Sequence, residues 1–152
     1  MSLHDRVEAD LKAAMKSRDK AATSALRMAV AALKNRAIAD GLGPQGRLED
    51  AAVEQVLATE VKRRREAATA FRDAGRADQA ASEEAEATLY AVYLPEQLDD
   101  AALTALVDEV IAELGAEGPK QLGAVMKAAM GRVEGRADGA RVSTVAKQRL
   151  LG

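Results

Sequence analysis

Cysteine and tryptophan are absent from these 152 residues, histidine occurs once, proline three times, and aromatic residues make up 2% of the chain. Without cysteine there are no disulfides and no thiolate metal sites, and the redox compartment stays open. A lone histidine cannot assemble the nitrogen and sulfur ligand sets of zinc centres. The scarcity of aromatics leaves a core of small aliphatic side chains. Each buries little area, at about 25 cal/mol per Å2 of apolar surface, so stability must come from many close helix contacts. No run approaches the ~20 apolar residues of a membrane span, and Met1-Ser2-Leu3-His4-Asp5-Arg6 lacks the basic-then-apolar order of a secretory signal. A soluble, cytoplasmic protein with no metal and no cofactor is the expectation.

Positive charge is missing locally as well. Residues 77–119 contain 11 acidic side chains and no Lys or Arg, whereas residues 1–76 carry a charge of +4 and residues 120–152 a charge of +5, for a total of -2. Two explanations stand side by side. The acidic and basic segments can simply pack against each other, or a basic C-terminal surface is set apart for a polyanion such as RNA.

What is present is helical periodicity, with strand alternation nowhere sustained. Ser2 is placed to cap a first helix, with Asp5 in the capping-box position, and Leu3, Val7, Leu11, Ala14 and Met15 form its stripe. After a break at Ser17-Arg18-Asp19, a second helix over 19–40 buries Ala22, Leu26, Ala29, Val30, Leu33 and Ala37. Gly41-Leu42-Gly43-Pro44-Gln45-Gly46 stops it. A third helix begins at Glu49-Asp50 and ends at Gly75, and a fourth runs over 76–93 to Tyr90 and Tyr93. Pro95 disfavours helical backbone at Leu94 and marks a boundary. The second and third helices, joined by one short loop, are expected to form an antiparallel hairpin crossed by the first and fourth.

Beyond Pro95, Asp99 caps a fifth helix with Leu98 and Leu103 as a hydrophobic staple. Leu103, Leu106, Val107, Val110, Ile111 and Leu114 form its apolar face, and Gly115 ends it. A sixth helix from Pro119 or Lys120 to Val133 turns Leu122, Val125, Met126, Ala129, Met130 and Val133 to one side. Asp138 caps a seventh with Val142, Val145, Ala146 and Leu150 inward. The fold class is therefore all-α: an N-terminal, hairpin-based helical domain over 1–94, a hinge at Pro95, and a small three-helix domain over 95–152.

Reaction chemistry is not legible, and no catalytic, cofactor-binding or metal-binding residue is assigned. His4 has no Ser/Asp or ligand grouping around it and is expected to be solvated or to serve the first helix turn. Glu83, Glu84 and Glu86 lack the apolar pocket that separates the pKa values of an acid–base pair and read as a solvated face. Lys62-Arg63-Arg64-Arg65 fans around a helical turn. It either pairs with Glu60, Glu66 and the acidic fourth helix or forms a secondary phosphate patch extended by Arg72 and Arg76. In the last third, Lys127, Arg132, Arg136 and Arg141 are the RNA-binding candidates. Arg136 and Arg141 stand at the opening of the seventh helix, where backbone N–H groups could help hold a phosphate. With no aromatic there, contacts would go to phosphate and shape rather than to stacked bases.

The chain resembles the YqeY family, stand-alone relatives of the tail domain of the GatB component of aspartyl/glutamyl-tRNA amidotransferase. The resemblance rests on Leu11-Lys12-Ala13-Ala14-Met15-Lys16, Leu26-Arg27-Met28, Ala32-Leu33-Lys34, Arg72-Asp73-Ala74-Gly75-Arg76, Tyr93-Leu94-Pro95-Glu96-Gln97-Leu98, Leu122-Gly123-Ala124-Val125-Met126-Lys127 and Gly135-Arg136-Ala137-Asp138-Gly139. It implies a C-terminal domain similar to the amidotransferase tail, which helps dock tRNA while other domains carry the chemistry. This chain has no counterpart of the large catalytic region. The resemblance thus implies a tRNA-associated accessory module, with tRNA and aminoacylation or amidotransferase proteins as partners. A protein–protein adaptor using Tyr90, Tyr93 or the Leu103–Leu114 helix is the alternative. A carbon–nitrogen ligase component in its own right ranks last, because kinship of fold does not carry activity.

Overall fold

The chain divides into two compact units, Met1–Leu94 and Pro95–Gly152, in a computed structural model that describes residues 1–151. Among these residues there are seven α-helices and no strand. In the first unit, α1 spans Leu3–Ser17, with the Ser2 hydroxyl accepting the Asp5 N–H at 3.1 Å and Arg18 closing the helix in the left-handed region. Asp19 then caps α2, Lys20–Ala39, by accepting the Ala22 N–H at 3.1 Å. The chain leaves α2 through Gly41 and Gly43, whose φ values of 79° and 78° suit residues without a Cβ. α3 covers Asp50–Asp73 and α4 Ala77–Ala91, connected through Gly75 at φ 76°.

The helix pairing differs from the expected hairpin. α3 and α4 form the most extensive pair, α1 and α2 the next, and α2 meets α3 over a much shorter length. The reason lies in side-chain size. Ala68, Ala80 and Ala87 are all buried and let α3 and α4 approach closely, while Arg64 facing Glu83 and Glu86, and Arg72 facing Glu84, run the two helices antiparallel. The core of this unit gathers Val7, Leu26, Leu33, Leu57, Val61 and Tyr90 from all four helices. Met15, placed on the inner stripe by its spacing, is 49% exposed.

Polar latches complete the unit. The Tyr90 hydroxyl donates to the Ala25 carbonyl at 2.6 Å, fastening α4 to α2. The Tyr93 hydroxyl donates to the Asp10 carboxylate, and the Arg6 guanidinium lies 5.1 Å from its ring centroid, tying the end of α4 to α1. His4 corrects the expectation of a solvated residue, being only 4% exposed. Its Nδ1 accepts the Leu48 N–H at 3.0 Å and its Nε2 lies 3.5 Å from the Glu8 carboxylate, a pattern that requires the proton on Nε2. Arg47 donates to both Glu8 oxygens at 2.7 and 2.8 Å and reaches Asp5 at 3.0 Å. That guanidinium holds the Glu8 carboxyl below its ordinary range, chiefly through the hydrogen bond. Together these groups pin the segment before α3 onto α1.

The second unit holds α5 (Asp100–Leu114), a 3-10 turn (Pro119–Gln121), α6 (Leu122–Val133) and α7 (Gly139–Leu151). Asp99 caps α5 by accepting the Ala102 N–H at 2.7 Å, and Gly115 ends it at φ 62°. All three helices pack on one another around Leu103, Val107, Val125, Val133, Val142 and Ala146. Met130, expected inward, is 39% exposed. The segment leading into α5 is held by the Leu98 N–H donating to the Arg136 carbonyl at 2.8 Å and Gln97 Nε2 donating to the Gly135 carbonyl at 3.1 Å.

The latches can be tested one at a time. Tyr90→Phe should lower unfolding free energy by about 1 kcal/mol, the net worth of a buried hydrogen bond, in chemical denaturation. Burial also pushes the Tyr90 hydroxyl up to about 12 from an ordinary 10.0 and raises Tyr93 as well. Because the folded state favours the neutral phenol, this contribution is complete below pH 10 and is lost as pH rises toward about 12. An absorbance titration should show both tyrosines ionising later than free tyrosine, together with unfolding. For the latch at the start of α1, His4→Ala should strand the Leu48 N–H, costing roughly 1–3 kcal/mol, and accelerate hydrogen exchange at that amide. An unchanged exchange rate would contradict the assigned role.

Candidate nucleic-acid interface

Each cation singled out in the last third stands in a defined setting. Lys127 is exposed in the middle of α6. At 100° per residue, its neighbours on the solvent face include Gly123, Ala124 and Gly131, and a Cβ added at either glycine would meet nothing within 4 Å. Among the described residues Lys127 has no ion-pair partner. Arg132 leaves α6 near its end and pairs with Glu113 and, at 3.8 Å, with Glu109 on α5.

Arg136 and Arg141 do not converge on the start of α7. The Arg136 guanidinium folds back and donates to the Val133 and Arg132 carbonyls at 3.0 and 2.9 Å. It is a second donor to the Val133 carbonyl, which also accepts the Arg136 backbone N–H at 2.9 Å, and it sits at the negative end of the α6 dipole. Glu134 at φ 48° and Gly135 at φ 80° make this return possible. Arg141 reaches across to the Leu98 carbonyl at 2.9 Å and to Asp100 at 3.0 Å. Its backbone N–H is accepted by the Asp138 carboxylate at 2.8 Å, so a negative side chain occupies the position where a phosphate would contact the N-terminus of α7. The reach of the two guanidinium groups and the local carboxylate cap explain why residues close in sequence to the start of α7 do not form a phosphate cradle here.

The charge asymmetry resolves into pairing inside each unit. In the second unit the acids of α5 meet the arginines of α6 and α7: Asp100 with Arg141, Asp108 with Arg149 at 2.7 Å, and Glu109 and Glu113 with Arg132. In the first, Arg64 turns inward with a side-chain exposure of 16% and lies 3.2 Å from Glu60 and 3.0 Å from Glu86, with Glu83 at 3.8 Å. Glu83 and Glu86 are half-buried partners rather than a solvated face. Arg63 pairs with Glu60 at 3.2 Å and Arg72 with Glu84 at 3.5 Å. Lys62 and Arg65 are exposed and, among the described residues, unpaired. The basic run is thus divided between a helix-to-helix ion cluster and two outward cations.

A third group of cations lies where the sequence suggested no site. α2 contains no acidic residue, and Lys20, Arg27 and Lys34 recur on it at intervals of seven. All three are exposed and have no ion-pair partner among the described residues. Their spacing is visible in the chain, and it keeps them on the solvent side of the helix, flanking the apolar stripe.

Among the described residues no three His, Asp or Glu side chains are grouped to hold a metal, and no helix is long and apolar enough to cross a membrane. The open depression between α5 and α7, about 480 Å3, is lined by Asp100, Thr104, Asp138, Arg141, Thr144 and Gln148. Its charged side chains, Asp100, Asp138 and Arg141, are engaged in the contacts described above.

Comparison with curated proteins gives no match. A family model described as Yqey-like protein matches residues 4–150, nearly the whole chain, and the protein belongs to the YqeY family.

Proposed function

We propose that this protein is a tRNA-associated accessory module that docks RNA through phosphate and shape contacts and relies on partners for chemistry. The observation that carries the reading is the solvent face of α6, where unpaired Lys127 stands among Gly123, Ala124 and Gly131. Small residues there let a sugar–phosphate strand come close to the helix, and a lysine supplies a sequence-independent phosphate contact. The resemblance of Leu122–Lys127 and Gly135–Asp138 to the GatB tail of the amidotransferase supports the same choice of ligand. Aminoacylation or amidotransferase proteins are the partners this reading implies, with Pro95 as the hinge.

Arg132 joins the surface by exchange. Its bonds to Glu109 and Glu113 are between exposed groups, and such pairs are worth only about 0–1 kcal/mol, so a phosphate can displace the carboxylates. Arg136 and Arg141 take positioning roles, shaping the turn between α6 and α7. The adaptor reading gains no continuous apolar surface, since Tyr90, Tyr93 and Leu103 are buried and only Leu114 of the α5 apolar face is exposed. The ligase reading gains none either, since Glu83, Glu84 and Glu86 are held by arginines.

Binding of total tRNA by the full chain tests this through the salt dependence of affinity. Lys127→Gln should weaken binding severalfold and reduce the slope of log affinity against log salt by about one. Glu109→Gln with Glu113→Gln should strengthen binding by releasing Arg132. Affinities equal to the parent protein in both variants, with circular dichroism unchanged, would remove the α6 surface from the proposal.

A further inference from the structure

From the charge distribution on α2 we infer that its solvent face is a second docking surface for the phosphate backbone of structured RNA, located in the first unit. The inference rests on the RNA-binding reading above but does not depend on the α6 surface. On a helix rising 1.5 Å per residue, Lys20, Arg27 and Lys34 are about 10 Å apart and form a nearly straight row of about 21 Å. Ser24 and Ala31 lie between them on the same face, and Asn35 beside them, all exposed. The helix is free of acidic residues, and those at its two ends are engaged. Asp19 caps the Ala22 N–H at 3.1 Å, and Asp40 is held by Arg36 at 2.9 Å. Lys16, in the last turn of α1, and Arg18, at the turn before α2, are also exposed.

Three features select the occupant. The end cations of the row, about 21 Å apart, cannot converge on one phosphate, so a single nucleotide or free anion leaves part of the row unused and an extended polyanion matches it. An anionic membrane surface holds an interfacial helix through an inserted apolar side, whereas Leu26, Ala29, Leu33 and Ala37 of α2 face the core, leaving isolated Met28 and Ile38 rather than an apolar stripe exposed. The small side chains between the cations let a rigid, uniformly charged backbone lie along the helix, as double-helical RNA presents. Lysine and arginine placed without counter-acids gain from counterion release in proportion to the phosphates neutralised.

The test is equilibrium binding of total tRNA by the full chain over a salt series around 0.15 M, for the parent protein, for Lys127→Gln, for Lys20→Gln/Arg27→Gln/Lys34→Gln and for Arg27→Glu alone. A polyglutamate of matched charge serves as a second ligand. The triple variant is expected to bind tRNA at least about tenfold more weakly, with a salt slope smaller by roughly two to three. Arg27→Glu, a single exposed change, should show a severalfold loss and keeps the inference testable should the triple variant be poorly folded. If Lys127→Gln weakens binding while both α2 variants match the parent protein, the α2 surface is wrong and the RNA reading stands. If the parent protein does not bind tRNA, both fall. Equal affinity for polyglutamate and tRNA would overturn RNA as the occupant of α2.

Discussion

Arginine pairing between neighbouring helices decides which cations of each unit are left to meet a ligand, and any reading of the two surfaces depends on it. With so little aromatic side-chain volume, the helices come together over alanine and valine, and long cationic side chains bridge their margins. Arg64 sits with Glu60, Glu83 and Glu86 between α3 and α4, partly shielded from water, where removing one partner leaves uncompensated charge. Arg141 and Arg149 join α7 to α5, and Arg132 joins α6 to α5. Most of the acids in the stretch without Lys or Arg, which spans the boundary between the units, are therefore met by arginines from other helices of the unit each belongs to.

That pairing filters which cations can meet a ligand. Lys127, Lys62, Arg65 and the α2 row of Lys20, Arg27 and Lys34 point outward and are unpaired among the described residues. Most of them are lysines, flexible point charges suited to contacting phosphates without reading sequence. Arg132 belongs to both groups, because its partners are themselves exposed. Under the proposed RNA reading, such contacts would be weak and reversible, with affinity governed by salt.

Element boundaries were legible because they are written in local chemistry. Ser2, Asp19, Asp99 and Asp138 cap helices through contacts three residues away, and Gly75 and Gly115 end helices by backbone conformation. Partner choice was less legible. Close packing through Ala68, Ala80 and Ala87 favours α3 with α4 over the anticipated pairing of α2 with α3, and nothing in a run of alanines names its neighbour. Of the candidate cations in the last third, Lys127 alone stands exposed and unpaired among the described residues, as its place away from the apolar stripe of α6 suggested. Arg141 bonds the Leu98 carbonyl, 43 positions away, and Arg136 turns back on the helix it follows, choices of long side chains that periodicity does not encode. The burial of His4 did have a signal in the chain, since it precedes Val7 by three residues and Leu11 by seven, on the buried side of α1.

In the proposed reading, a surface neutralised by internal arginine pairs still binds tRNA through its unpaired cations. This binding is tested most directly by fluorescence anisotropy of the unmodified protein against total tRNA and against duplex DNA of matched charge. The measurement belongs in a salt series spanning about 0.15 M, where the Debye length is about 8 Å. Preferential binding to tRNA that weakens steadily with salt is the predicted result. No binding, or equal binding to both nucleic acids, would contradict it.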